Sequence, residues 1–128
     1  MTRTPVGLAA LVVTVLGLAS PAGAHRLDEY LQSTKVAVDA DRVVLEIDLT
    51  PGANIARRIV ALIDTDGDHR VSDVEKAHYA RDVLASLRMT VDDDVVETRL
   101  TAQYFPTVED MAAGTGTIRV RAEGRAPL

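Results

Sequence analysis

Arg42-Val43-Val44-Leu45-Glu46-Ile47-Asp48-Leu49-Thr50 sets the architecture, because the periodicity of the chain changes directly after it. Val43, Leu45, Ile47 and Leu49 fall on one face and Arg42, Glu46 and Asp48 on the other. That alternation predicts a half-buried strand. Pro51-Gly52 ends it. From Ala53 to Ile63 the apolar spacing becomes helical, with Ile55, Ile59, Leu62 and Ile63 on one face and Arg57 and Arg58 elsewhere. Upstream, Tyr30–Asp39 is rich in β-formers, and Asp39-Ala40-Asp41 suits a tight hairpin turn.

Downstream of the first helix, a polar dozen runs from Asp64 to Glu75. A second helix is expected from about Asp73 to Ser86, with Tyr79, Ala80, Val83, Leu84 and Leu87 as its apolar stripe. Strand patterns then return. Leu87, Met89 and Val91 alternate with Arg88 and Thr90, and Asp92-Asp93-Asp94 reads as a turn. Val96, Thr98, Leu100 and Ala102 make a further alternating run, and Phe105-Pro106 opens a loop reaching Gly116. Ile118 and Val120 alternate with Arg119 and Arg121 in a last short strand. The pattern predicts an α+β domain: a small antiparallel sheet with a helix-loop-helix inserted between strands two and three, the helices covering its apolar face.

The chemistry concentrates in Asp64-Thr65-Asp66-Gly67-Asp68-His69-Arg70-Val71-Ser72-Asp73-Val74-Glu75. Calcium is a hard cation that takes six to eight oxygens at roughly 2.3–2.6 Å. A short loop can supply them when carboxylates recur at alternate positions and the chain then curls around the ion. Asp64, Asp66 and Asp68 stand at positions one, three and five. Arg70 at position seven can offer its backbone carbonyl, and Ser72 at position nine can act through a water. Glu75 at position twelve is long enough to bind with both oxygens, and Val71 supplies an apolar contact below the loop.

Over residues 53–87 the chain resembles an EF-hand, the helix–loop–helix calcium-binding motif. The resemblance implies those ligand roles for Asp64, Asp66, Asp68, Arg70, Ser72 and Glu75, with calcium as the cofactor. Ala56, Ile59, Val60 and Ile63 precede the loop at the family's spacing, and Tyr79, Ala80 and Val83 follow it. Two positions depart from the family. His69 stands where Gly serves a left-handed turn, a conformation that costs a non-glycine residue about 1 kcal/mol. Lys76 follows the last ligand where an apolar residue is usual. Both predict a site of modest affinity. The competing reading is that Ser72-x-x-Glu75 is only a capping box and the acidic run a solvated turn. It accounts for Ser72 and Glu75 but not for three alternating carboxylates, which repel one another without a cation. There is no second loop, and an unpaired hand favours a structural clamp over a cooperative sensor.

The first 24 residues read as a secretory signal peptide. Arg3 supplies a positive start, Val6–Leu18 an apolar run, and Ala22-Gly23-Ala24 a small-residue cleavage site. The run is short for a bilayer span, a retained anchor being the alternative. A single domain is then expected over residues 25–128, secreted or periplasmic, with no membrane span after cleavage. The chain has no Cys, so disulfides cannot compensate for a small core. It has three Tyr, one Phe and no Trp, which leaves that core to Val, Ile, Leu and Ala. A formal net charge of −5, without basic clusters, speaks against nucleic acid as a partner.

No triad, phosphate-binding Gly loop or zinc-protease motif occurs, so no enzymatic activity is expected. His25, as a mature N-terminus, could chelate copper through its amine and imidazole. This resembles the N-terminal histidine site of some exported copper proteins. Ala24–Leu31, followed by strand patterns, also resembles the extracytoplasmic segment of some bacterial hydrogenase/urease-accessory-type metal permeases. That likeness implies a short or truncated relative. Three readings therefore stand at the level of sequence: an exported calcium module, an envelope protein-interaction or self-associating domain, and copper delivery through His25.

Overall fold

The structure is a computed structural model that describes residues 27–126; the leader over residues 1–24 and His25 lie outside the described residues. The element order is β1 (Tyr30–Val38), β2 (Arg42–Pro51), α1 (Ala53–Ile63), α2 (Asp73–Ala85), β3 (Thr90–Val91), β4 (Asp94–Val95), β5 (Thr98–Tyr104), α3 (Val108–Ala112) and β6 (Ile118–Arg125). Four strands form one antiparallel sheet in the order β1-β2-β6-β5. The protein is thus a mixed α and β fold with helices α1 and α2 between the second and third strands of the chain. No helix among the described residues is long and apolar enough to cross a membrane.

β2 behaves as its alternation requires. Val43, Leu45, Ile47 and Leu49 are buried, and the residues between them lie partly or fully open on the other face. The last strand in sequence is central in space. β6 pairs with β2 from Arg42↔Arg125 to Leu49↔Ile118 and with β5 on its other side. Ile118, Val120 and Ala122 line the same core as Leu45, Ile47 and Leu49. Burying side chains such as Ile47, Ile63, Ile118 and Val120 contributes about 1.5–3 kcal/mol each. On the opposite face Arg119 holds Asp48 at 2.6 Å and Lys35 holds Glu46 at 2.9 Å. Exposed pairs of this kind contribute little, because water screens them. The core therefore decides the fold.

The helices close that core. Ala56 and Ile63 of α1 and Ala80 and Leu84 of α2 are buried, while Ile59, Val60, Tyr79 and Val83 pack around them. Tyr79 also meets Phe105 edge-on, ring centroids 6.1 Å apart. Residues ahead of β1 fix the start of α1. The Asn54 amide donates to the Leu27 carbonyl at 2.9 Å, and the Gly52 amide to that of Glu29 at 2.7 Å. The α1 N-cap, Gly52, has no side chain to do this.

Three expectations need correction. Leu62 is 66% exposed, because Ala56, Ile59, Val60 and Ile63 make the inward face of α1 and leave it outside. Leu87–Val91 is not a strand of the main sheet. Only Thr90 and Val91 pair, with Val95 and Asp94, around a turn in which Asp92 and Asp93 both take positive φ. This hairpin folds over one end of the sheet and packs Val96, Met89 and Val91 against Val43 and Ala126. Gly124 permits that approach: a Cβ there would lie 2.6 Å from the Val96 side chain. Finally, the expected loop from Phe105 to Gly116 contains α3, capped by Thr107, whose hydroxyl accepts from the Asp110 amide at 3.1 Å. It exists to bury Met111, which is 1% exposed.

Candidate metal centre

The loop joining α1 to α2 is folded around its own carboxylates. α1 ends at Ile63, and Asp64 is its C-cap. Asp64 Oδ1 accepts from the Gly67 amide at 2.8 Å and the Asp68 amide at 3.2 Å, and Oδ2 accepts from the His69 amide at 3.0 Å. One side chain thereby gathers three successive backbone amides. Asp66 Oδ1 accepts from the Asp68 amide at 3.1 Å, and Asp68 Oδ1 from that of Arg70 at 2.8 Å. Gly67 and His69 both take left-handed backbone, φ 73° and 64°. The tight turn thus falls on the His that stands in place of Gly.

These bonds draw Asp64, Asp66 and Asp68 together. Each offers a carboxylate oxygen, and all three oxygens lie within 4.8 Å of one another. Two oxygens bound to one calcium can be no more than about 5.2 Å apart, twice the longest usual bond. The spacing fits a single divalent ion. The charges also act on one another. The bond from the Asp68 amide lowers the pKa of Asp66, but burial, the charges of Asp68 and Glu75 and the contact with Asp64 outweigh it, so the pKa is raised.

The far end of the loop is built differently. Ser72 is the N-cap of α2 and forms a reciprocal capping box with Glu75. Glu75 Oε2 accepts from the Ser72 amide and hydroxyl, each at 2.8 Å. Its Oε1 reaches across the loop and accepts from the Thr65 amide at 2.7 Å, the Thr65 hydroxyl at 3.1 Å and the Asp66 amide at 3.4 Å. Glu75 is the one charged side chain buried among the described residues, 6% exposed. The Ser72 amide and hydroxyl, with the Thr65 and Asp66 amides, overcome the burial penalty and hold its pKa down at about 2. Glu75 is a charged staple between the two ends of the loop.

Of the six expected ligands, three converge directly. Ser72 and Glu75 are engaged with each other, and Arg70 is exposed. Val71 packs against the core. Thr65 is the residue that sequence reasoning passed over: its amide and hydroxyl both engage Glu75. A hydroxyl at the second position of an acidic loop was the available signal. His25 lies outside the described residues. No protein family, curated protein or solved structure matches this chain.

Proposed function

We propose that this protein is an exported calcium-binding module in which the ion clamps the α1–α2 loop with modest affinity. The observation that carries the reading is the convergence of the Asp64, Asp66 and Asp68 oxygens within 4.8 Å. The loop amides hold the three carboxylates in place, and a hard divalent cation takes such a set of oxygens. The left-handed backbone at His69 supports the same reading, since an ion-wrapping loop turns sharply there.

In this account Asp64, Asp66 and Asp68 supply the first carboxylate oxygens. The Arg70 carbonyl and Ser72, through a water, complete the middle of the loop. Glu75 closes the site by exchanging some of its present amide and hydroxyl bonds for the ion. That exchange has a cost, because the Glu75 charge is already well stabilised by the protein. Together with the positive φ of His69, it favours an affinity suited to the calcium-rich exterior. Extracellular sites of this class work at about 10⁻⁴–10⁻³ M calcium. The apolar run and Ala22-Gly23-Ala24 support export.

Titration calorimetry at millimolar calcium tests the proposal. One binding event is expected, weakened about tenfold or more by Glu75→Gln, which removes one ligand charge. Absence of calcium-specific heat in the parent protein would overturn it.

A further inference from the structure

β1 is the anomaly of the sheet. All nine of its residues are exposed, and it forms one outer edge of the sheet. Its even-numbered side chains share the core-facing side with β2, since Val36 pairs with Leu45 and Val38 with Val43. Yet Val36 and Val38 are 58% and 60% exposed; α2 meets β1 at its start, where the Tyr30 and Tyr79 hydroxyls share a hydrogen bond.

The open edge can be read residue by residue. The Asp39 amide donates to the Arg42 carbonyl, and the Gly52 amide to the Glu29 carbonyl. These contacts mark hydrogen-bonded pairs at both ends of an unbroken register. Such pairs alternate along an antiparallel ladder. Odd-numbered residues from Glu29 to Asp39 therefore turn their N–H and C=O towards β2. Tyr30, Gln32, Thr34, Val36 and Val38 turn theirs outward, with no partner among the described residues.

Natural sheets protect long edges with Pro, bulges or charged side chains, Lys above all. β5, the other edge, has such an irregularity between Leu100 and Ala102. β1 has no Pro, no Gly and no register shift, and its single charge, Lys35, is held by Glu46 at 2.9 Å.

We infer that two copies of this chain pair antiparallel through this edge, on a two-fold axis at Gln32. The segment is Glu29-Tyr30-Leu31-Gln32-Ser33-Thr34-Lys35. Its only charges are opposite in sign and equidistant from Gln32. A two-fold axis there sets Glu29 of each copy against Lys35 of the other, in a non-hydrogen-bonded pair, the closer of the two kinds. Lys35 then lies between two carboxylates, its own Glu46 and the Glu29 of the second copy. Its side chain is 67% exposed and has room for both. Tyr30 faces Thr34, and Leu31 faces Ser33. Only the axis at Gln32 pairs the two charges with each other; axes at Leu31 and Ser33 leave Glu29 and Lys35 opposite uncharged residues. An axis at Lys35 sets Lys against Lys, and one at Thr34 sets Glu29 against Asp39. Opposed like charges on paired strands are destabilising.

The absence of Cys from the chain makes the test direct. In the full-length processed protein, Gln32→Cys places two thiols across the axis, with Cα atoms about 5.5 Å apart, within disulfide range. Val36→Cys separates them by roughly 26 Å, eight residues along the strand. The expected result is rapid oxidation of the first to a covalent dimer and none of the second. Sedimentation should show a dimer for the parent, a monomer for Glu29→Lys, and recovery of the dimer when Lys35→Glu is added. Circular dichroism establishes that each variant is folded. A parent that stays monomeric at every concentration, equal crosslinking at both positions, or a dimer indifferent to Glu29→Lys would each overturn the inference.

Discussion

The two ends of the α1–α2 loop carry the same kind of group in opposite conditions. Glu75 is buried, but the protein itself satisfies it: five donors from Thr65, Asp66 and Ser72 surround its carboxylate. Asp66 and Asp68 are exposed and cluster with Asp64, and the charges of Asp68 and Glu75 disfavour that of Asp66. The pKa of Glu75 falls while that of Asp66 rises. Burial alone would give the reverse order. The difference teaches that hydrogen-bond supply, not depth, decides which carboxylate is content without a cation. One end of the loop is satisfied by the protein's own donors, and the other gathers three carboxylates.

The sharpest way to break this contrast is Glu75→Ala. It removes the acceptor that ties Thr65, Asp66 and Ser72 together, so the variant should lose stability without any calcium. A fall of several degrees in Tm in the presence of chelator is expected, together with loss of calcium binding. An unchanged calcium-free melt would show that the staple carries no weight. Asp66→Asn should act on the other end and change sign with conditions. Without calcium it relieves repulsion, leaving stability unchanged or slightly raised. With calcium it weakens binding about tenfold, or about 1.4 kcal/mol. Paired melts in chelator and in millimolar calcium would reveal the inversion.

Acid separates the two ends as well. The stabilisation from Glu75 is fully present above its ordinary 4.5 and is lost as pH falls towards about 2, because its folded-state pKa is depressed. Asp66 contributes in the opposite sense: its raised pKa means that protonation relieves a cost as pH falls. Asp66→Asn removes that relief. Its calcium-free stability should therefore decline more steeply on acidification than that of the parent, as followed by denaturant midpoints across this range. The smallest effect concerns the turn. His69→Gly frees a residue held at φ 64° and should tighten calcium binding severalfold, up to about 1 kcal/mol. Calorimetry on the two proteins measures it.

Much of this arrangement was legible in the residues. The alternation of Val43, Leu45, Ile47 and Leu49, the helical spacing of Ala56, Ile59, Val60 and Ile63, and the Asp64-x-Asp66-x-Asp68 spacing are local signals. Each met the expected element or cluster. What escaped depends on partners far away in sequence. β6 read as a short last strand because Ala122 and Gly124 continue its inward face with residues too small to register as an apolar pattern. Its central position follows from pairing with β2 and β5 together. Leu87–Val91 alternates like a sheet strand, yet the Asp92-Asp93 turn and the seat of Val96 beside Gly124 divert it into a small hairpin. At the loop, carboxylate spacing was visible, whereas the capture of Glu75 by the Thr65 amide and hydroxyl needed the fold.

If the acidic end of the loop holds calcium, the ion steadies the helices against the sheet. The decisive test is a thermal melt of the protein across a calcium series, with the chelated protein as baseline. The expected Tm climbs with calcium concentration into the millimolar range, as mass action requires of a ligand bound by the folded state, with a much smaller rise for Asp66→Asn. Superimposable melts with and without calcium would contradict it.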